Sequence, residues 1–367
     1  MTRWGDMPRW RDAVPTSEHR GLIVGFKRTL ILTVAVVALV SGGTTSAANA
    51  HDREGTPSVR ELASFAASGC QGGCGSGSTV GPDRALYVTN GKAGTVLRID
   101  PRTGATTTFA SGLPLSAIGI GGAMDVAFIG DTAYVLVTTV GPFFGQTGVV
   151  DGVYRVENDG STTPIADIGA WAILHPPTTA FAITTGVQYA MQPFRGGFLV
   201  TDGHHNRVLR VTLDGAVSQF LAFGDIVPTG LALRGNKIYM AEAGPVPHLP
   251  QDGKVVTFNA KSPHSREVAS GASLLVDVEF NRSHDLYALS QGFWDLPPDP
   301  ANAGKPASPN TGTLEKVNDD GSFTTIVGGL DRPTSLEFIG KTAFVVTLTG
   351  KVMRIDNVSG DGADNAD

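Results

Sequence analysis

The residues best placed to do chemistry are carboxylates, an amide and histidines that recur at one phase of a repeated strand pattern. Asn90, Asp202 and Glu242 each stand three residues beyond the landmark of a similar strand, with Val137, Ser290 and Thr347 at the same phase. Asp125 in Ala123-Met-Asp-Val-Ala-Phe and Asp277 in Leu275-Val-Asp-Val-Glu-Phe occupy matching positions in a second strand type. Oxygen donors converging from several repeats are what a hard cation such as Ca2+ or Mg2+ takes. The other reading is that these side chains accept hydrogen bonds from backbone N–H groups of neighbouring units, because buried acids must find partners with or without a metal. His204, in Thr201-Asp-Gly-His-His-Asn-Arg-Val, and Glu242 are the candidate general bases, since histidine changes charge near neutral pH. Set against that, the same string reads as a polar turn between two strands. No spacing fixes a nucleophile or a second base, so whether the protein is an enzyme stays open at this level.

What must position these groups is a four-strand cassette that recurs six times between Val59 and Asp356. Its second strands align as Leu86-Tyr-Val-Thr-Asn, Ala133-Tyr-Val-Leu-Val, Gly197-Phe-Leu-Val-Thr-Asp, Ile238-Tyr-Met-Ala-Glu, Leu286-Tyr-Ala-Leu-Ser and Ala343-Phe-Val-Val-Thr. Apolar and polar residues alternate over five or six positions, the mark of a half-buried strand. Turn pairs such as Asp214-Gly215 and Asp320-Gly321 separate the third and fourth strands. Self-similarity at a period of about 50 residues, with four strands per unit, predicts an all-β six-bladed β-propeller of four-stranded antiparallel blades. The sixth copy ends after its third strand. Ser58-Val-Arg-Glu-Leu-Ala-Ser resembles the outer strands, so it is expected to complete the last blade and to close the ring, where an open array would expose an edge.

Loop lengths divide the two faces. Turns between first and second strands are short, as at Gly130-Asp131 and Gly235-Asn236, whereas the long inserts Gly141–Asp151, Gly244–Asp252, Phe293–Asn310 and Ala170–Thr185 all belong to the opposite face. These inserts carry Phe143, Phe144, Trp171, His175, Phe181, His248, Phe293 and Trp294, and with His204 they form the expected ligand face. An aromatic-lined mouth suits a small or mixed-polarity ligand. The alternative is that the proline-rich inserts only cover the blades, with their aromatics as local mini-cores.

Residues 1–50 read as a secretory signal with a long n-region. Lys27 and Arg28 precede the apolar run from Thr29 to Val40, and Ala48-Asn-Ala closes it. A membrane anchor is the rival reading, but a run of twelve residues falls short of the roughly 20 that span a bilayer. Of 28 basic and 34 acidic residues, six and three lie in this segment; the remainder, 22 and 31, has a net charge near −9. That balance argues against nucleic acid and against anionic membrane surfaces. Residues 51–357 are then one propeller, and 358–367 an acidic, disordered tail. A secreted monomer is expected, with a small molecule or an extracellular protein as partner. Cys70 and Cys74 are expected to form a local disulfide, free thiols or a metal site being the alternatives. Asn281-Arg-Ser and Asn357-Val-Ser match the glycosylation pattern.

Over about residues 56–357 the chain resembles the ScyD/ScyE family of exported propeller proteins. The features that carry this are Val80-Gly-Pro-Asp-Arg-Ala-Leu-Tyr-Val-Thr-Asn, the cysteine pair before it, Gly122-Ala-Met-Asp-Val-Ala-Phe and Pro228-Thr-Gly-Leu-Ala-Leu. This resemblance implies the propeller fold and no settled reaction. The string around Asp202 resembles an NHL-type repeat. More distantly, the chain is similar to gluconolactonase-like propellers, which implies a metal held by Glu, Asn and Asp, here Glu242, Asn90 and Asp202. Its similarity to streptogramin lyases implies Mg2+ and a catalytic histidine, here His204 or His205. The expected function is therefore ligand or partner binding on the long-loop face. A divalent-metal-dependent lactonase or lyase at the channel mouth and a structural cell-surface protein are the alternatives.

Overall fold

The computed structural model describes residues 56–66, 70, 72–259, 262–297, 302 and 304–358. The expected leader lies outside the described residues, and of the expected disordered tail only Val358 is described; it is buried in a core cluster with Leu336, Val345 and Ile355, so the propeller extends at least to it.

Twenty-four strands, β1 to β24 in chain order, form six four-stranded antiparallel sheets among the described residues. Blades one to five are β2–β5 (78–110), β6–β9 (122–167), β10–β13 (188–222), β14–β17 (228–270) and β18–β21 (275–330). The sixth comprises β22 (Pro333–Ile339), β23 (Thr342–Thr347) and β24 (Lys351–Asp356), with β1 (Ser58–Ser64) as its outer strand. The ring thus closes as the repeat predicted. Ser58 pairs with Asp356 and Ser64 with Lys351, with a bulge between Glu61 and Ala63. Ala63 is buried against Phe344, Val346 and Val352, and Leu62 and Phe65 pack on the same cluster.

Small cores repeat between successive blades, as expected where each blade buries one face on the next. One holds Tyr87, Val96, Val126, Val135 and Tyr154; another holds Tyr134, Leu136, Phe198, Val200 and Leu209. Cys70 and Cys74 form the expected disulfide. It lies in the segment that leads from the closing strand β1 to the first inner strand β2 (Ser78–Val80). Asn281 is buried, its side chain bonded to both the carboxylate and the N–H of Asp285, so the first glycosylation pattern is tied into a turn.

The inner strands line a narrow axis. Bulges in β6 (Gly122–Ile129) and β18 (Leu275–Phe280) turn Asp125 and Asp277 toward neighbouring blades. Asp125 accepts from Val126 N at 2.8 Å and from Met191 N of the next blade at 2.7 Å. Asp277 accepts from Val278 N at 2.9 Å and from Leu336 N of the next blade at 2.7 Å. A Cβ on Gly77 would lie 2.2 Å from Asp125 Oδ1, and one on Gly230 2.3 Å from Asp277 Oδ1. Glycine in one blade, aspartate in the second and an amide in the third therefore form a staple that occurs twice around the ring.

Candidate functional site

The strand topology places all the long inserts at one end of the ring. Residues 141–151 contain a short 3-10 turn, Pro142–Phe144; residues 244–252 contain another, Pro250–Asp252. The join between the second and third blades carries α1 (Ile168–Leu174), the one α-helix among the described residues. Asp167 caps it, accepting from Ala170 N at 2.7 Å.

The expected ligand-face residues form local clusters, two of which are joined through Arg207. Phe143 and Phe144 form an edge-to-face pair with centroids 4.9 Å apart. Trp171 stacks on His175 at 4.3 Å, and Phe181 meets His205 edge-on at 5.2 Å. His248 and Trp294 pack edge-to-face at 5.6 Å in a mini-core with Ala243, Leu274 and Ala307. Phe293 is 62% exposed. The covering reading therefore holds for Trp294, while Phe143, Phe181 and Phe293 face outward.

The densest polar network grows from the Asp202 string. The hairpin between β11 (Gly197–Asp202) and β12 (Arg207–Thr212) sets Asp202 directly opposite Arg207. Both are fully buried, and Arg207 Nε donates to Asp202 Oδ2 at 3.1 Å. Arg207 also donates from Nη1 to the His175 carbonyl at 2.6 Å and lies over the Trp171 ring at 4.9 Å. Val187 N donates to Asp202 Oδ1 at 3.1 Å. Gly186, at φ 76°, is confined to glycine because a Cβ there would meet Asp202 Oδ1. Burial by itself would lift the Asp202 carboxyl; His205 and Arg207 beside it more than offset this and hold it below the ordinary range.

The two histidines anchor the same insert. His205 Nε2 faces the Ile183 carbonyl at 2.9 Å, and its Nδ1 lies 3.0 Å from Asp202 Oδ2 and 2.8 Å from Arg207 Nη2. His204 Nε2 accepts from both Ala182 N, at 2.8 Å, and Ile183 N, at 3.0 Å. That fixes its proton on Nδ1 and removes Nε2 from base chemistry. Burial and the neighbouring His205 push its pKa down. Asn206 accepts from Ile226 N and Val227 N. The string therefore acts as a clasp between its own turn, the α1 insert and the next blade join. Arg207 and His205 were not singled out as anchors, although a four-residue turn between Asp202 and Arg207 is a legible signal for a cross-strand ion pair.

The metal candidates occupy matching heights but different blades. Asn90 Oδ1 caps its own turn, accepting from Ala93 N at 3.0 Å, and Asp202 is satisfied by a guanidinium and an amide. Among the described residues no group of three or more His, Cys, Asp or Glu side chains is arranged to hold a metal ion. The Glu, Asn and Asp set implied by the gluconolactonase-like resemblance does not fit a shared cation. Glu242 differs from the other two. It is buried beside Lys254, whose ammonium goes instead to Glu267 at 2.8 Å, and burial raises its carboxyl to about 7.

The axial channel is polar and small, with ≈ 40 Å³ open to the centre of a water molecule. Tyr189 of the third blade donates to the Thr334 carbonyl of the sixth, on the far side of the axis, at 3.1 Å. Glu279 and Glu337 lie two residues beyond Asp277 and Ser335 and so face the same lumen. Both are half-buried, and among the described residues no Lys, Arg or His lines the cavity. Burial raises Glu279 to about 8, and burial with the charges of Glu279, Asp277 and Asp125 lifts Glu337 well above the ordinary range. An acid raised on folding favours the folded state at low pH and opposes it as pH climbs from about 4.5 through about 8. Glu279→Gln is accordingly expected to raise the melting temperature by an increment that grows between pH 5 and pH 9. An increment independent of pH would refute this account of the channel.

No family model and no curated protein matches the chain. Solved structures do. The gluconolactonase from Xanthomonas campestris has a TM-score of 0.56 at 12% identity, covering 83% of this chain and 91% of its own. Virginiamycin B lyase from Staphylococcus aureus has a TM-score of 0.51 at 14% identity, covering 82% and 99%. A PQQ-bound aldose sugar dehydrogenase from Streptomyces coelicolor has a TM-score of 0.52 at 13% identity, covering 82% and 98%. These proteins carry different chemistries on one architecture, and at such identities the likeness is one of fold alone.

Proposed function

We propose that this protein is an exported binding propeller whose partner docks on the long-loop face. One observation carries the reading. Of eleven exposed large hydrophobic residues among those described, nine lie at that end of the ring, in the inserts or in the join between the first and second blades (residues 111–121): Leu115, Ile118, Phe143, Ile173, Leu174, Phe181, Val246, Leu249 and Phe293. Only Val59, on the closing strand, and Leu213, in a turn on the plain face, lie elsewhere. Apolar side chains collected on one face of a rigid scaffold mark an interaction surface. The narrow channel favours a broad partner, an extracellular protein surface, over a small molecule enclosed at the axis.

The test is site-specific photo-crosslinking in the culture fluid of the producing cells. A crosslinker at Phe293 or Leu174 is expected to yield a discrete adduct, while one at Leu213 gives none; Phe181→Ser should reduce the yield at Leu174 several-fold. Equal labelling from both faces would count against the reading. The metal-dependent lactonase or lyase alternative draws its support from the near-neutral Glu242 carboxyl. Tight Ca2+ or Mg2+ uptake by calorimetry, lost in Glu242→Gln with the fold retained and accompanied by lactone hydrolysis, would replace the binding reading with that one.

A further inference from the structure

Beneath α1 lies a carboxylate that the Asp202 clasp does not use. Asp151 ends the insert before β8 (Gly152–Val156) and is 2% exposed. Its Oδ1 accepts from Val140 N at 2.7 Å, and its main-chain carbonyl accepts from Gly169 N, in the first turn of α1, at 3.0 Å. Its Oδ2 is buried with no hydrogen-bond partner, and so is Oγ1 of Thr185, a residue 5% exposed at the far end of the same insert. The two residues are neighbours: a Cβ on Gly169 would lie 3.5 Å from Asp151 Oδ2 and 3.4 Å from the Thr185 methyl group. The Thr185 hydroxyl can donate to Asp151 when the carboxyl is ionised and accept from it when it is protonated, so the two states differ in whether a charge is left under the helix, where it is costly.

We propose that Asp151 and Thr185 form a proton-operated latch under α1, closed when Asp151 is protonated and opened when it ionises, so that pH governs how the helix presents its apolar residues. With the proton on Oδ2, Asp151 donates to Thr185 Oγ1 and no charge is buried. Without it, a charge is left in a dry site where only the Val140 N–H and the Thr185 hydroxyl can answer it. The charged and titratable groups around it do not help. Asp167, at the α1 cap, and Asp202 both raise its pKa, and Tyr154 of β8 donates its hydroxyl to the Val150 carbonyl instead. The Arg207 guanidinium is spent on Asp202, the His175 carbonyl and His205. Burial, the largest influence, brings Asp151 to about 7. An open segment would return it to an ordinary value near 3.8, so closure is favoured at low pH and lost as pH rises through about 7.

The proposal rests on the binding reading for its purpose but not for its test, which uses the free protein. Hydrogen exchange at the Gly169 amide reports opening directly, because that N–H bonds to Asp151. Between pH 5.5 and pH 8 the opening equilibrium should increase about 30-fold, over and above the intrinsic base catalysis of exchange. Asp151→Asn should abolish the excess while leaving exchange in β11 and β12 unchanged, and Thr185→Val should open the segment at pH 5.5. Exchange at Gly169 that follows only the intrinsic pH dependence, or an excess that persists in Asp151→Asn, would overturn the latch. If the latch holds and no adduct forms on the long-loop face, it is the binding reading that fails.

Discussion

A chain lacking residues 51–66 is expected to melt on the order of 10 °C below the intact protein, with a broadened transition. The loss has two parts. Leu62, Ala63 and Phe65 leave the cluster formed with Phe344, Val346 and Val352, and a buried large side chain contributes about 1.5–3 kcal/mol. The ladder from Ser58–Asp356 to Ser64–Lys351 also disappears, leaving β24 with a row of unpaired backbone groups. Together these amount to about 5 kcal/mol, and in a domain of this size each kcal/mol moves the midpoint by roughly 2 °C. The exposed Lys351–Glu61 ion pair, 3.0 Å long, adds little to that sum. Calorimetry of the truncated chain checks it, and an unchanged cooperative melt would mean that β1 does not close the ring.

Arg207→Ala should be the most damaging single substitution, at about 3–5 kcal/mol, because it strands the Asp202 carboxylate in a dry site. It also removes the donor to the His175 carbonyl and the cation over Trp171, so the α1 insert should loosen along with the global fold. Adding Asp202→Asn should recover part of the loss by deleting the uncompensated charge. The pair is checked by denaturant unfolding at pH 7, where Asp202 is ionised. A double variant that is no more stable than Arg207→Ala would show that packing, rather than charge, dominates at this position.

The frame of this molecule was legible in its residues because it is built from local regularities. Alternation located the strands, turn dipeptides located the tight face, and the short sixth cassette located the closing strand. The groups within the frame were legible only in part. Asn90, Asp202 and Glu242 share a phase, but phase sets height on a ring and says nothing about approach across it, so they stand in the first, third and fourth blades. Asp125 and Asp277 hold amides of neighbouring blades, the alternative read beside the metal one. Asp151 carried no signal at all. Its role depends on Thr185, thirty-four positions along the chain, and only the path of the intervening insert brings them together.

The Tyr189 hydroxyl on the Thr334 carbonyl is a crossbar through the hub. With the hub so crossed, what remains along the axis is the small polar void around that bond. The aspartate staples tie blades one to three and blades four to six, so the wheel is strung as two half-rings, and this crossbar joins the last blade of one to the last blade of the other.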